Sequence, residues 1–430
     1  MKEIKIGIIG FGTVGAGVAA NLLEHSEMIA ARTGVKLALA GIADIDIKRD
    51  RGVNVPKWLL TTDSTELIMK SDIVVELIGG TTIAKTLILT ALNNGKSVVT
   101  ANKALLAKHG EELFAAAEKF GAEIFYEASV AGGIPIIKAL REGLAGNRIN
   151  KIYGILNGTC NYILTRMERE GLDFEPILED AQNLGYAEAE PSLDIDGFDT
   201  AHKTTILASL AYGKWFGMDP LHVEGIRGIS LTDLRYADEL GYRIKLLGII
   251  KQNDDKDIEI RVHPALIRKD ALLADVSEVF NAVMVNGDYV GDTMFYGRGA
   301  GREATASAVV SDIIDIARNL AAKCPGRLPA FRAGKLYRNI LAIDDTFNRY
   351  YLRVQVKDVP GVIAKISAVL GNKEISISSF IQKEGQSQDN VSLMILTHQA
   401  QEKLLKAAIH EIEQMAEVSE DVKIFRIEDI

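Results

Sequence analysis

The 430-residue chain has 47% apolar and 25% charged residues, which excludes a disordered chain, a collagen-like fibre and a disulfide mini-protein. At roughly 100–200 residues per domain it holds two to four domains, each long enough to bury a core. Its 49 basic and 58 acidic side chains give a net charge of −9, so it lacks the basic surplus of a nucleic-acid binder.

Ile4–Ile9 reads as a buried strand and Thr13–Leu23 as a helix. Between them, Gly10-Phe11-Gly12-Thr13-Val14-Gly15 is a G-x-G-x-x-G loop. In a strand–loop–helix setting, Gly10 permits the tight turn, Gly12 lets backbone approach a pyrophosphate, and Gly15 lets helix and strand pack closely. The helix N-terminus then offers free N–H groups to phosphates. The 18 uncharged residues Ile6–Leu23 sit at the lower limit for a membrane span, but their five glycines and flanking charges argue against one. They also lack a signal-peptide cleavage pattern.

Strand Leu37–Ala43 ends near Asp44, which suits a ribose 2′-OH and hence NAD. Lys48 and Arg49 suit a 2′-phosphate and hence NADP, unless Arg49 is simple surface charge. Ser64 is read as the cap of a short helix. Strands Asp72–Ile78, Ser97–Thr100 and Glu123–Tyr126 then alternate with helices Ile83–Leu92 and Ala104–Phe120. Such alternation predicts a parallel sheet covered on both faces. Lys103, just after Thr100, falls at the carboxyl edge of that sheet, where ligands bind; plain exposure at a helix start is the alternative.

From Ala131 the pattern changes to glycine-rich turns and then a carboxylate-rich stretch, Gly185–Asp199. Ile155–Leu164, with Asn157-Gly158-Thr159, reads as a turn and helix start lining a site. In helix Thr200–Tyr212 and its lead-in, Asp199 and Lys203 are spaced i,i+4 on one face. A surface salt bridge is one reading. The apolar residues that follow favour a partly buried lysine able to act as a general acid. Ile244–Val262 and Ala282–Val290 read as strands of a second sheet, and Ala304–Ala322 as a returning helix. The last 80 or so residues read strand Tyr350–Val356, helix Val362–Leu370, strands Ile375–Gln382 and Asn390–Thr397, helix Gln399–Met415 and strand Val422–Ile427. That order is a ferredoxin-like βαββαβ unit. The only cysteines, Cys160 and Cys324, make no CxxC or zinc pattern, which suits a reducing cytoplasm.

These pieces coincide with one family. Gly10–Gly15, Thr100-Ala-Asn-Lys103, Tyr126–Gly133, Gly154–Thr159, Gly185–Lys203 and Tyr296–Gly301 stand in its order, and the chain resembles homoserine dehydrogenase with a carboxyl-terminal ACT domain. The resemblance implies an α/β chain of three domains. They are a Rossmann-type doubly wound sheet over 1–134 with return helix 304–322, an α+β catalytic and dimerisation domain over 135–303, and an ACT domain over 349–430 after a connector, 323–348. It implies reversible NAD(P)H-dependent reduction of L-aspartate 4-semialdehyde to L-homoserine, in threonine, methionine and isoleucine biosynthesis. Lys203 would donate the proton, Asp199 orient the site and Lys103 assist placement; Glu188, Asp194 and Asp199 would hold substrate. The cofactor set would comprise Gly10–Gly15, Asp44, Arg49, Gly80, Thr100, Lys103, Gly301 and Glu303. Main-chain carbonyls of Glu127, Val130, Gly132 and Ile134 would hold a monovalent cation, typically sodium. Asp358, Pro360 and Gly361 mark the turn where an amino-acid effector, threonine, would bind. A homodimer or homotetramer is implied, with neither nucleic-acid nor membrane partners. The chain departs from the family in having Arg302-Glu303-Ala304 where an acid and a proline are frequent. A non-catalytic amino-acid sensor would need a broken set, yet Lys103, Glu188, Asp199 and Lys203 are all present.

Overall fold

The computed structural model describes residues 2–219, 221–327, 329–382 and 390–430. The chain opens β1 Lys2–Ile9, α1 Thr13–Glu24, α2 Ser26–Thr33, β2 Val35–Ala43, β3 Leu60–Thr61, α3 Ser64–Lys70, β4 Ile73–Glu76, α4 Thr82–Asn93, β5 Ser97–Thr100, α5 Lys103–Phe120 and β6 Ile124–Phe125. Among the described residues these strands form one parallel sheet of order β3-β2-β1-β4-β5-β6. The order reverses between β1 and β4, which makes a crevice at their carboxyl ends. The central strands are buried on both faces because helices cover both sides, so they read as continuous apolar runs. Asp63, not Ser64, caps α3, by accepting from the Glu66 amide.

The second unit begins with α6 Ile136–Lys138, β7 Ile149–Ile155, α7 Gly158–Glu170, α8 Phe174–Asn183, α9 Ser192–Ile195 and α10 Phe198–Tyr212. Then come β8 His222–Val223, α11 Leu231–Glu239, β9 Tyr242–Gln252, β10 Ile258–Arg268, β11 Phe280–Gly287 and β12 Gly291–Arg298. The apolar stretch 244–262 is thus two antiparallel strands, turning at 253–257. The stretch 282–290 belongs to a second hairpin, β11–β12. α12 Arg302–Ala321 returns to pack on α1. The connector is not slack: Asn339 and Leu341 bond to Ile258, and Phe331 packs against Trp215. Leu328 within it lies outside the described residues.

The last unit is β13 Phe347–Lys357, α13 Val362–Asn372, β14 Ile377–Gln382, β15 Asn390–Thr397, β16 Ala400–Gln401, α14 Glu402–Glu413 and β17 Lys423–Glu428. Its sheet order β17-β13-β15-β14 is ferredoxin-like. This unit is not hung on a tether. β17 pairs in parallel with β10, so one sheet runs β12-β11-β7-β9-β10-β17-β13-β15-β14 through both units. Charges are buried at that seam. Arg261 of β10 bonds Glu428 of β17 at 3.0 Å and Asn348 at 2.8 Å. Arg261 also pairs with Glu259 at 3.0 Å and Glu428 with Lys251, so the buried charges are compensated within the seam.

Candidate active site

The glycine loop lies at the crevice of the parallel sheet. Gly10 has φ +102°, and a side chain there would strike the backbone of Leu77 and Ile78 at 2.7–2.9 Å. A Cβ on Gly15 would sit 2.0 Å from the Gly10 carbonyl. Beside Gly12, by contrast, a Cβ would meet nothing within 4 Å among the described residues beyond its own chain neighbours, which leaves the room a pyrophosphate needs. Thr13 and Val14 open α1, and its first amides face that room.

Asp44 accepts from the Phe11 amide at 2.6 Å and the Asp46 amide at 2.8 Å. Its cationic neighbour is Arg51 at 3.6 Å. Arg49 and Lys48 are exposed, with their amides on Asp46. The chain turns at 46–49 and brings Arg51, which the spacing did not single out, back over Asp44. Arg302 also reaches this region, packing on Gly17 at the start of α12 beside Glu303 and Gly301. Neither Arg51 nor Arg302 stands out by spacing.

Glu76 is a further residue missed in sequence. It ends β4 fully buried, and burial raises its pKa. Thr100 donates to it at 2.7 Å and the Ile78 amide at 2.9 Å. Asn102 caps α5 and donates to the Gly80 carbonyl at 2.7 Å. Glu76 and Asn102 therefore hold the turn 78–80 and the start of α5 together. The visible signal was a carboxylate closing the apolar run Ile73-Val-Val-Glu76.

Lys103 begins α5 and points across to the second unit. The two units meet where Trp215 lies against Gly110 of α5. A side chain on Gly110 would strike the indole at 2.0 Å, and the indole N–H donates to the Leu106 carbonyl at 2.7 Å. That contact brings Lys103 Nζ to 3.0 Å from Asp199.

α10 is buried on nearly every side, and its hydroxyls turn inward onto its own carbonyls. Asp199 is 4% exposed and Lys203 9% exposed. Lys203 Nζ donates to Asp199 and to the Leu156 carbonyl, each at 2.6 Å. Burial alone would raise the Asp199 pKa. Lys203 and Lys103 overcome it and hold the carboxyl well below its usual range. Burial likewise opposes the charge on Lys103, and Asp199 reverses that effect, aided by Asp194 and Glu188. Asn157 caps α7 and donates one amide to Asp194 at 2.7 Å and Asp199 at 2.9 Å. Burial and the Asp199 charge raise the Asp194 pKa. Glu188 is exposed at the mouth. Cys160 is wholly buried behind Asp194, and burial pushes its thiol well above the usual value, so it is no nucleophile.

The structure thus brings together Lys103, Asp194, Asp199 and Lys203, with Glu188 at the rim. Glu127 lies apart: its carboxylate accepts the Ile137 and Lys138 amides, each at 2.8 Å. Near it the chain reverses through Ala131 and Gly132, both at φ +55°. Among the described residues no hydrogen bond reaches the Val130 or Gly132 carbonyl, while those of Glu127 and Ile134 accept from Val130 and Ile136. Asp358, Pro360 and Gly361 form the exposed turn between β13 and α13, outside the lysine–aspartate network. No helix among the described residues is long and apolar enough to cross a membrane.

A doubly wound sheet with a phosphate-ready glycine loop, facing a buried lysine–aspartate pair, defines a nicotinamide-dependent oxidoreductase. Comparison with known proteins narrows the class. Residues 10–127 match the NAD-binding domain of homoserine dehydrogenase, 135–314 match homoserine dehydrogenase, and 350–417 match the ACT domain. The chain is 47% identical to a homoserine dehydrogenase of Neisseria gonorrhoeae, over 100% of both chains. It superposes on a homoserine dehydrogenase of Thiobacillus denitrificans with TM-score 0.94 and 45% identity, covering 100% of this chain and 99% of the other. A hyperthermophilic archaeal homoserine dehydrogenase, solved in complex with NADPH, matches 75% of this chain and 98% of its own, with TM-score 0.60 and 30% identity. The chain belongs to the homoserine dehydrogenase family.

One pH dependence follows from the buried pair. The folded Asp199 pKa lies below its unfolded value of about 3.9. The pairing therefore stabilises the fold fully above about pH 4 and is lost as the pH falls below that. Thermal unfolding between about pH 2 and 6 should show a steeper acid loss in the native chain than in Asp199→Asn. Parallel acid limbs would show that the ion pair contributes nothing.

Proposed function

We propose that the chain interconverts L-homoserine and L-aspartate 4-semialdehyde, with Lys203 as the acid and base. The observation that carries this reading is the donor count at Lys203. An ammonium has three N–H donors. Two are spent on Asp199 and the Leu156 carbonyl, which leaves one for a substrate oxygen. A bound nicotinamide supplies or accepts the hydride. Lys203 gives its proton to the carbonyl oxygen as negative charge gathers there, and takes it back in the reverse direction. Asp199 holds Lys203 in place through their hydrogen bond. Asp194 and Glu188 suit the substrate's amino group, and Lys103 its carboxylate or the cofactor.

Arg51 beside Asp44 suits a 2′-phosphate, and its buried Nε has no hydrogen-bond partner among the described residues. The NADPH-bound archaeal relative agrees with this preference. The free Val130 and Gly132 carbonyls suit a hard monovalent cation such as sodium. The reaction would serve threonine, methionine and isoleucine biosynthesis in the cytoplasm. The exposed β12 edge, with Tyr296 on the strand and Tyr289 in the turn before it, suits pairing into a homodimer or homotetramer.

The direct test follows reduction of NADP+ and NAD+ with L-homoserine. Lys203→Met should bind cofactor normally but turn over ~10²–10⁴-fold more slowly. Near-normal turnover would refute the lysine's role, and faster use of NAD+ would refute the Arg51 reading.

Feedback by threonine is assigned to the turn Asp358–Gly361. Deleting the unit after Asn348 would be a poor test, because it takes Glu428 from buried Arg261 and the strand β17 from β10. Asp358→Ala should instead weaken inhibition by L-threonine about tenfold, as expected for losing one charged contact. Undiminished inhibition would put the effector elsewhere.

A further inference from the structure

The last strand of the ACT unit carries an arginine that reaches into the catalytic unit. Arg426 of β17 bonds Glu224 through both terminal nitrogens, at 2.9 and 3.0 Å. Its Nε donates to Glu402 at 2.9 Å, and Glu402 is further held by the Tyr350 hydroxyl at 2.8 Å. Arg426 is thus fixed on the ACT side and presents a rigid fork to Glu224.

Glu224 follows β8, with its amide on the Val262 carbonyl at 2.8 Å. The next residue, Gly225, lies flat against α9: a Cβ there would meet the Ile195 carbonyl at 2.1 Å and Asp196 Cα at 2.4 Å. The Ile226 amide donates to the Ile195 carbonyl at 2.7 Å. On the other side Gly197, at φ +88°, would place a Cβ 3.1 Å from the Glu224 carbonyl. Arg227 pairs with Asp196 and donates to Ser192 at 2.9 Å. Residues 224–227 are therefore the bed on which α9 rests, and α9 carries Asp194. Asn157 then joins Asp194 to Asp199.

We propose that Glu224 and Arg426 are positioning residues for substrate, the fork between them setting where Asp194 stands. A residue of the ACT sheet then bears on substrate affinity without touching substrate. This rests on the reading of Asp194 as a substrate ligand. The apolar contacts of the seam do not need the pair: the Glu224 side chain is 40% exposed, and Arg426 keeps Glu402 without it.

The test uses the full-length enzyme, with KM and kcat measured for both substrates. Glu224→Ala should raise the KM for L-homoserine about 5- to 20-fold and leave kcat and the cofactor KM within about twofold. Glu224→Gln keeps an acceptor for the fork and should recover most of the affinity. An unchanged homoserine KM in Glu224→Ala, or an equal rise in both KM values, would overturn the proposal. If Glu224→Ala does not fold, Arg426→Lys serves instead: it keeps the charge beside Glu402, loses the fork, and should give the same split, with an unchanged homoserine KM again overturning the proposal. Asp194→Asn is measured in parallel. If it raises the homoserine KM while the Glu224 variant does not, the positioning role fails and the substrate site stands. If neither variant moves it, the substrate reading fails as well.

Discussion

One buried carboxylate organises this protein. Asp199 sits out of water, where a lone charge would cost several kcal/mol. Two lysines make it tolerable, and they come from different units: Lys203 from one turn along the same helix, Lys103 from the helix that follows the fifth strand of the nucleotide sheet. The carboxylate has both lysines only when those units are closed on each other. The same closure brings Lys203 to the domain that carries the glycine loop. Full charge compensation and closure of the two units therefore go together.

The rest of the fold serves that closure. Gly110 is small so that Trp215 can lie against α5, which sets the distance from Lys103 to Asp199. Glu76, buried at the end of its strand, holds Thr100 and the 78–80 turn, so the cofactor edge and the start of α5 are braced together. At the far side the ACT unit completes the catalytic sheet, and its terminal carboxylate Glu428 neutralises Arg261. The ACT unit is thus joined to the catalytic unit through a shared sheet and buried ion pairs.

What could be read in the sequence was what is local. The loop Gly10–Gly15 announces itself because its three glycines answer three steric demands within six residues. Asp199 and Lys203 are legible because helical spacing puts them on one face. The ACT unit is legible because its strands and helices follow in a fixed order. What was missed lay mostly beyond local spacing. The approach of Arg51 to Asp44 depends on the turn at Asp46, which spacing does not show. The hairpin within 244–262 was missed although its turn, Asn253-Asp-Asp-Lys-Asp257, is a run of turn formers, and the stretch 282–290 gave no sign of its partner β12, whose residues are half-exposed and mixed in polarity. Nothing in the local pattern foretold that β17 would pair with β10, 160 or so residues away, since such pairing depends on complementary burial and not on adjacency. Lys103 was placed at the right edge of the sheet, but its partner came from the other unit.

The central claim is that the Asp199 charge holds Lys203 in working order. Its most direct test is the turnover of L-homoserine by Asp199→Asn, a change of charge with almost no change of shape. The account predicts a fall in kcat of ~10²-fold or more, with cofactor affinity preserved. Turnover within a few-fold of the native enzyme would contradict it.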